Sequence, residues 1–193
     1  MKILSLLSGV FFSALVSGAA MAQAPAAAPA APPPPEVKSV GDWLVRCYPT
    51  QSQSPCDMYQ QQNDAKSNQR VLAVSLAYIP RLDKHAIQIS VPLGVSITRG
   101  ASILVGSYTS PAMPYRRCDR AGCYVEMLID NSLVDQLSHG GDTALIKVTA
   151  DDGKNYELKL SLNGFPAAHD SMSEQARAKA KSDGAAPAAP AKK

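Results

Sequence analysis

The residues of this chain with chemistry to offer are four cysteines, three histidines and one arginine-rich segment. Cys47, Cys56, Cys118 and Cys123 allow three disulfide pairings. Joining near neighbours, Cys47 to Cys56 and Cys118 to Cys123, closes two short loops, each worth about 2–3 kcal/mol in the chain-entropy model. Crossed pairings would constrain the unfolded chain more, so entropy does not select the local pairs. Proximity favours them. Each pair brackets turn-forming residues (Pro49, Gln53, Ser54 and Pro55; Asp119 and Gly122) between strand-like runs. A dithiol redox catalyst prefers C-x-x-C, with a thiolate stabilised at a helix N-terminus. The spacings here are C-x₈-C and C-x₄-C, in strand-like sequence. A structural zinc site prefers pairs separated by two to four residues, which only the second pair approaches.

His85, His139 and His169 lie far apart in the sequence, and no H-x₃-H or H-E-x-x-H spacing occurs. Surface and helix-end roles are therefore expected for them, and no metal site. No serine sits in a G-x-S-x-G elbow. The Asp151-Asp152-Gly153-Lys154-Asn155 run faintly resembles a calcium loop, but it lacks alternating acidic positions and a closing glutamate. A hairpin turn explains it better. The one candidate site is a partner-binding loop. Tyr115, Arg116, Arg117, Arg120 and Tyr124 cluster around the Cys118–Cys123 segment. Arginine and tyrosine on a rigid loop suit a protein contact or an anionic group, with Asp119 and Glu126 the neighbours able to neutralise it. No catalytic residue and no cofactor is expected.

These residues need a scaffold, and most of the chain supplies one. Lys2, the apolar run Ile3 to Val16, and Ala20-Met21-Ala22 form a secretory signal pattern, with cleavage expected after Ala22. Fourteen apolar residues are too short to cross a bilayer as a helix. The mature protein is therefore expected to be periplasmic or secreted, where disulfides persist. Residues 23–36 hold six of the fifteen prolines and form an Ala/Pro linker. Residues 37–168 form one domain, with 13 basic and 12 acidic side chains. That balance argues against nucleic-acid binding, which needs a clustered basic surface.

Within the domain, strand-forming residues occupy 43–48, 56–62, 69–79, 86–91, 95–98, 102–105, 123–129, 144–149 and 156–162. Ile87, Ile89 and Val91 alternate onto one face. One short helix is expected after Asp130 or Asn131, with Leu133, Val134 and Leu137 as its apolar stripe. Many short strands with frequent turns predict an all-β sandwich, although a small barrel shares the pattern. Residues 169–193 are polar, with about two helical turns expected from Ser171-Met172-Ser173-Glu174 and a disordered end.

Taken in order, the motifs resemble the invasion-associated locus B family of exported bacterial proteins. The matching pieces are Gly41-Asp42-Trp43 followed by Cys47; Cys56-Asp57-Met58-Tyr59-Gln60; Val91-Pro92-Leu93-Gly94-Val95 with Gly100; Arg117-Cys118 with Gly122-Cys123; and Leu160-Ser161-Leu162-Asn163-Gly164-Phe165. The resemblance implies an immunoglobulin-like β-sandwich without known catalytic activity. It carries over no catalytic or binding residues. Trp43, Met58 and Phe165 are the expected core anchors. The expected function is interaction with a protein partner in the envelope or on a host surface. A periplasmic accessory role in envelope assembly or stress tolerance is the alternative, and a hydrolase or redox enzyme ranks below both.

Overall fold

The computed structural model describes residues 33–49 and 51–185. The leader, its cleavage site, most of the linker and the last eight residues lie outside that range. Eleven strands and two helices follow in the order β1 (Glu36–Val40), β2 (Trp43–Cys47), β3 (Cys56–Asn63), β4 (Arg70–Ile79), β5 (Lys84–Val91), β6 (Ala101–Val105), β7 (Tyr108–Thr109), β8 (Tyr115–Asp119), β9 (Gly122–Ile129), α1 (Asn131–His139), β10 (Thr143–Thr149), β11 (Asn155–Ser161) and α2 (Phe165–Ala185). The strands form two antiparallel sheets, one of seven strands (β1-β2-β3-β4-β5-β9-β8) and one of four (β11-β10-β6-β7). Neither closes into a barrel, so the sandwich expectation holds and the barrel does not. The immunoglobulin-like expectation is met at the level of two packed antiparallel sheets.

Alternation decides which face of the larger sheet is buried. Trp43 and Val45, Met58, Leu72, Val74 and Leu76, Ile87 and Ile89, and Val125 form a continuous inner face. Ala101, Ile103, Val105, Ala144, Ile146 and Val148 of the smaller sheet belong to the same core. Both disulfides are local, as proximity favours. Cys47–Cys56 and Cys118–Cys123 have Cα separations of 4.1 and 4.0 Å. Each bridges residues directly opposite on paired strands.

Several elements differ from expectation, among them the two-residue strand β7, which no strand-forming run marks. Residues 95–98 make a single bridge from Val95 to Ala150 and then a turn, rather than a strand. Glu36 opens β1, an edge strand exposed along most of its length, although the sequence places it in the linker. The largest difference is α2. It starts at Phe165, six residues before the expected cap, and runs for 21 residues. Pro166 suits a first helical turn, and the alanines that follow favour helix. Phe165, Ala168, Met172 and Ala176 recur at helical spacing and are all at most 1% exposed. This stripe packs against β2, β3 and β4, so α2 completes the core where the sequence suggests a polar tail.

Two of the sequence motifs meet where α2 begins. Trp43 and Phe165 pack edge to face with ring centroids 5.3 Å apart. Trp43 Nε1 donates to the Ser161 carbonyl at 3.1 Å. Gln60 Nε2 reaches the same carbonyl at 3.1 Å, while its Oε1 accepts the Ser161 N–H at 2.9 Å. Ser161 Oγ donates to Asp42 at 2.6 Å. Gly164 has φ of 78°, and a Cβ there would lie 2.8 Å from both the Gly41 Cα and the Val40 carbonyl oxygen. Gly164→Ala is therefore expected to lose about 2–4 kcal/mol in urea unfolding, from backbone strain plus overpacking. Gly94→Ala provides the comparison: its φ is 90° with nothing near the added Cβ, so strain alone should cost about 1–2 kcal/mol.

Candidate functional site

The outer face of the larger sheet carries the arginine-rich segment. Its inner residues build the core, so positions 46, 57, 59, 75, 77, 86, 88, 124 and 126 turn the other way. The Cys47–Cys56 bridge fixes the register one residue away, which sets Arg46 opposite Asp57. Arg46 Nε donates to Asp57 at 2.9 Å, and Ser75 Oγ donates to the same carboxylate at 2.6 Å. The Arg46 guanidinium lies over the Tyr59 ring, 4.0 Å from its centroid. Small side chains follow on the central strands: Ser75, Ala77 and Ala86. The result is a shallow concavity of about 430 Å³, with Tyr48 and Asp57 on one side and Arg116, Glu126 and Leu128 on the other.

The β8–β9 hairpin forms the second side. A register shift between Tyr115 and Arg117 lets two consecutive arginines reach one carboxylate. Arg117 donates to Glu126 at 3.0 and 3.2 Å and to Asp119 at 2.6 Å. Arg116 lies 3.8 Å from the other Glu126 oxygen. Arg117 also stacks on the Tyr124 ring at 3.9 Å. A hydrogen bond from Gln88, and then Arg117, hold the Glu126 carboxyl below its usual range. The Ala121 N–H does the same for Asp119.

The five loop residues thus divide. Arg116 and Arg120 are exposed, while Arg117 is engaged by Asp119 and Glu126. Tyr124 is packed beneath Arg117. Tyr115 points inward and is 8% exposed, with its hydroxyl unpartnered; burial pushes its pKa up to about 12. Arg46 and Asp57 belong to the same face, although sequence reasoning did not single them out. The local disulfide register was the signal that could have found them.

The histidines do not stay apart. His139 caps the end of α1, bonding the Asp135 carbonyl at 2.9 Å. His85 and His169 instead meet, Nε2 to Nε2, at 2.9 Å. His85 is buried on the inner side of β5, and α2 delivers His169 from above. Asp130 occupies the N-cap of α1 without a side-chain bond, and Asn131 turns its amide to His85 at 3.1 Å. Desolvation, and then the neighbouring His169 ring, hold His85 below its ordinary pKa. The Asp152 region is a hairpin turn, with the Asp152 carboxylate accepting the Lys154 N–H at 3.0 Å.

The fold and its surface define a disulfide-stapled, two-sheet β domain with helical cover, open on the outer face of its larger sheet. Its architecture matches the crystal structure of invasion associated protein B from Bartonella henselae. The TM-score is 0.61 at 22% identity, over 71% of this chain and 95% of that one. Residues 43–173 match the family model described as invasion associated locus B (IalB) protein, and the chain belongs to that family. Two curated proteins of Brucella abortus, from strain 2308 and from biovar 1 strain 9-941, are each described as an invasion protein B homolog. Each is 27% identical over 129 residues, spanning 67% of this chain and 74% of the relative.

Proposed function

We propose that this protein is an exported, non-catalytic interaction module that engages a protein partner in the envelope or on a host surface through the outer face of its larger sheet. The observation that carries the reading is that face itself. Its central strands present small residues between two ridges of arginine and tyrosine. Arginine and tyrosine are the side chains most enriched at binding hot spots. The two disulfides suit an oxidising compartment, and among the described residues no helix is long and apolar enough to cross a membrane. The relatives' descriptions as invasion proteins support the same class of role.

Affinity capture from envelope extracts and host-cell membranes tests it. Arg116→Ala with Arg120→Ala removes two exposed cations and should leave the fold intact. Recovery of at least one partner is expected to fall about tenfold or more, the loss of a single hot spot. Equal recovery of every partner with wild type would remove this face from the reading. A partner whose capture instead needs an intact small sheet would favour an accessory envelope role at a different surface.

A further inference from the structure

His85 and His169 come from β5 and α2, 84 residues apart in sequence, and their Nε2 atoms lie 2.9 Å apart. The ring centroids are 5.0 Å apart, so the nitrogens meet head on, in an N–H···N hydrogen bond. The other nitrogen of each ring is also engaged. His85 Nδ1 lies 3.1 Å from Asn131 Oδ1, and His169 Nδ1 lies 3.2 Å from Asp170 Oδ1. Both oxygens accept, so each Nδ1 carries a proton. The contact between the Nε2 atoms takes one more, shared by the two rings. Three protons on four nitrogens therefore satisfy every polar atom of the pair. A fourth would set two N–H groups, each on a charged ring, against one another.

The place of the pair in the fold gives that proton count a mechanical consequence. His85 faces the core from β5, directly opposite Tyr78 of β4 and Ile129 of β9, and is 6% exposed. Asn131 opens α1, and His169 lies in the second turn of α2. One ring thus ties the larger sheet to both helices. The charged groups around the pair are Asp83 just before β5, Asp135 of α1, and Asp170, Glu174 and Arg177 of α2. All five are exposed, so water screens them, whereas the two rings touch. The Tyr78 hydroxyl is held by Asp83 and Arg177 and is neutral throughout the histidine range. Ile129 of β9 carries no charge. His85 itself is held below its ordinary pKa by desolvation and then by the His169 ring. The folded chain therefore binds fewer protons than the unfolded one as pH falls below about 6.5. The stability this contact supplies is present above that pH and is lost as pH falls through the folded-state value.

We propose that the His85–His169 pair is an acid-operated latch on α2. It fastens the start of the helix to β5 and α1 while the two rings together hold no more than three protons, and entry of the fourth releases it. The latch does not depend on the sheet-face reading, because His85 lies on the core side of β5.

The test compares the full chain at pH 7.5 and pH 5.0. Imidazole nitrogen magnetic resonance counts the protons: both Nδ1 atoms should be protonated at pH 7.5, and all four nitrogens at pH 5.0. His169→Gln should move the His85 midpoint upward, because it removes a like charge. Amide exchange of residues 166–176, corrected for the intrinsic effect of pH, should be about fivefold faster at pH 5.0, the loss of one hydrogen bond. Exchange in β3 and β4 should not follow. The double variant His85→Gln with His169→Gln should lose the acceleration, and His139→Gln should keep it. If the double variant fails to fold, the wild-type spectra and exchange still decide. Equal exchange of residues 166–176 at the two pH values would overturn the latch. So would an acceleration that the double variant keeps, or an Nε2 that stays unprotonated at pH 5.0.

Discussion

Met172→Asp is expected to unfold the protein at neutral pH. Met172 is fully buried on the stripe by which α2 closes the core. Deleting a buried methionine costs about 2–5 kcal/mol. A carboxylate in its place adds the cost of an unpaired buried charge, several kcal/mol more. Small domains hold only about 5–15 kcal/mol in total, so the sum consumes most of the stability. Urea titration followed by circular dichroism measures it. Two companions isolate the cause. Met172→Leu keeps volume and should lose less than about 1.5 kcal/mol. Ala178→Asp, on the exposed side of α2, should stay within about 0.5 kcal/mol. A cooperative, wild-type midpoint for Met172→Asp would show that α2 is not part of the folded core.

Trp43→Ala should cost about 3–5 kcal/mol, the range for a fully buried large aromatic. The residue does more than fill space. It packs edge to face on Phe165 and donates to Ser161 across 118 residues of sequence. Trp43→Phe keeps an aromatic ring but loses the donor, so about 1–2 kcal/mol should disappear with the hydrogen bond. Circular dichroism is the suitable probe, since Trp43 is the only tryptophan. Equal losses in the two variants would mean that the indole N–H, and not ring packing, holds the junction between β2 and α2.

The strands were legible in sequence where alternation was strong. Ile87, Ile89 and Val91 of β5 face the core as their spacing requires. The disulfides were legible through proximity, but the opposition of Arg46 and Asp57 that their register sets was not read from the sequence. Other features carried too little local signal. β1 is a mostly exposed edge strand, so burial imposes no pattern on it. The buried stripe of α2 includes two alanines, whose small apolar surface barely registers against a polar background. Tyr115 looks like part of a surface loop, but β8 registry points it into the core. The His85–His169 contact had no local signal, because it depends on how a strand and a distant helix meet.

The arginine–tyrosine face can work as a binding platform only if its hairpins stay fixed, and the four sulfurs fix them. Mass mapping of the protein isolated from cells, with free thiols trapped by alkylation before lysis, tests this most directly. The expected result is two linked peptides, Cys47 with Cys56 and Cys118 with Cys123, and no alkylated cysteine. A peptide joining Cys47 to Cys118, or an active form carrying alkylated thiols, would contradict it.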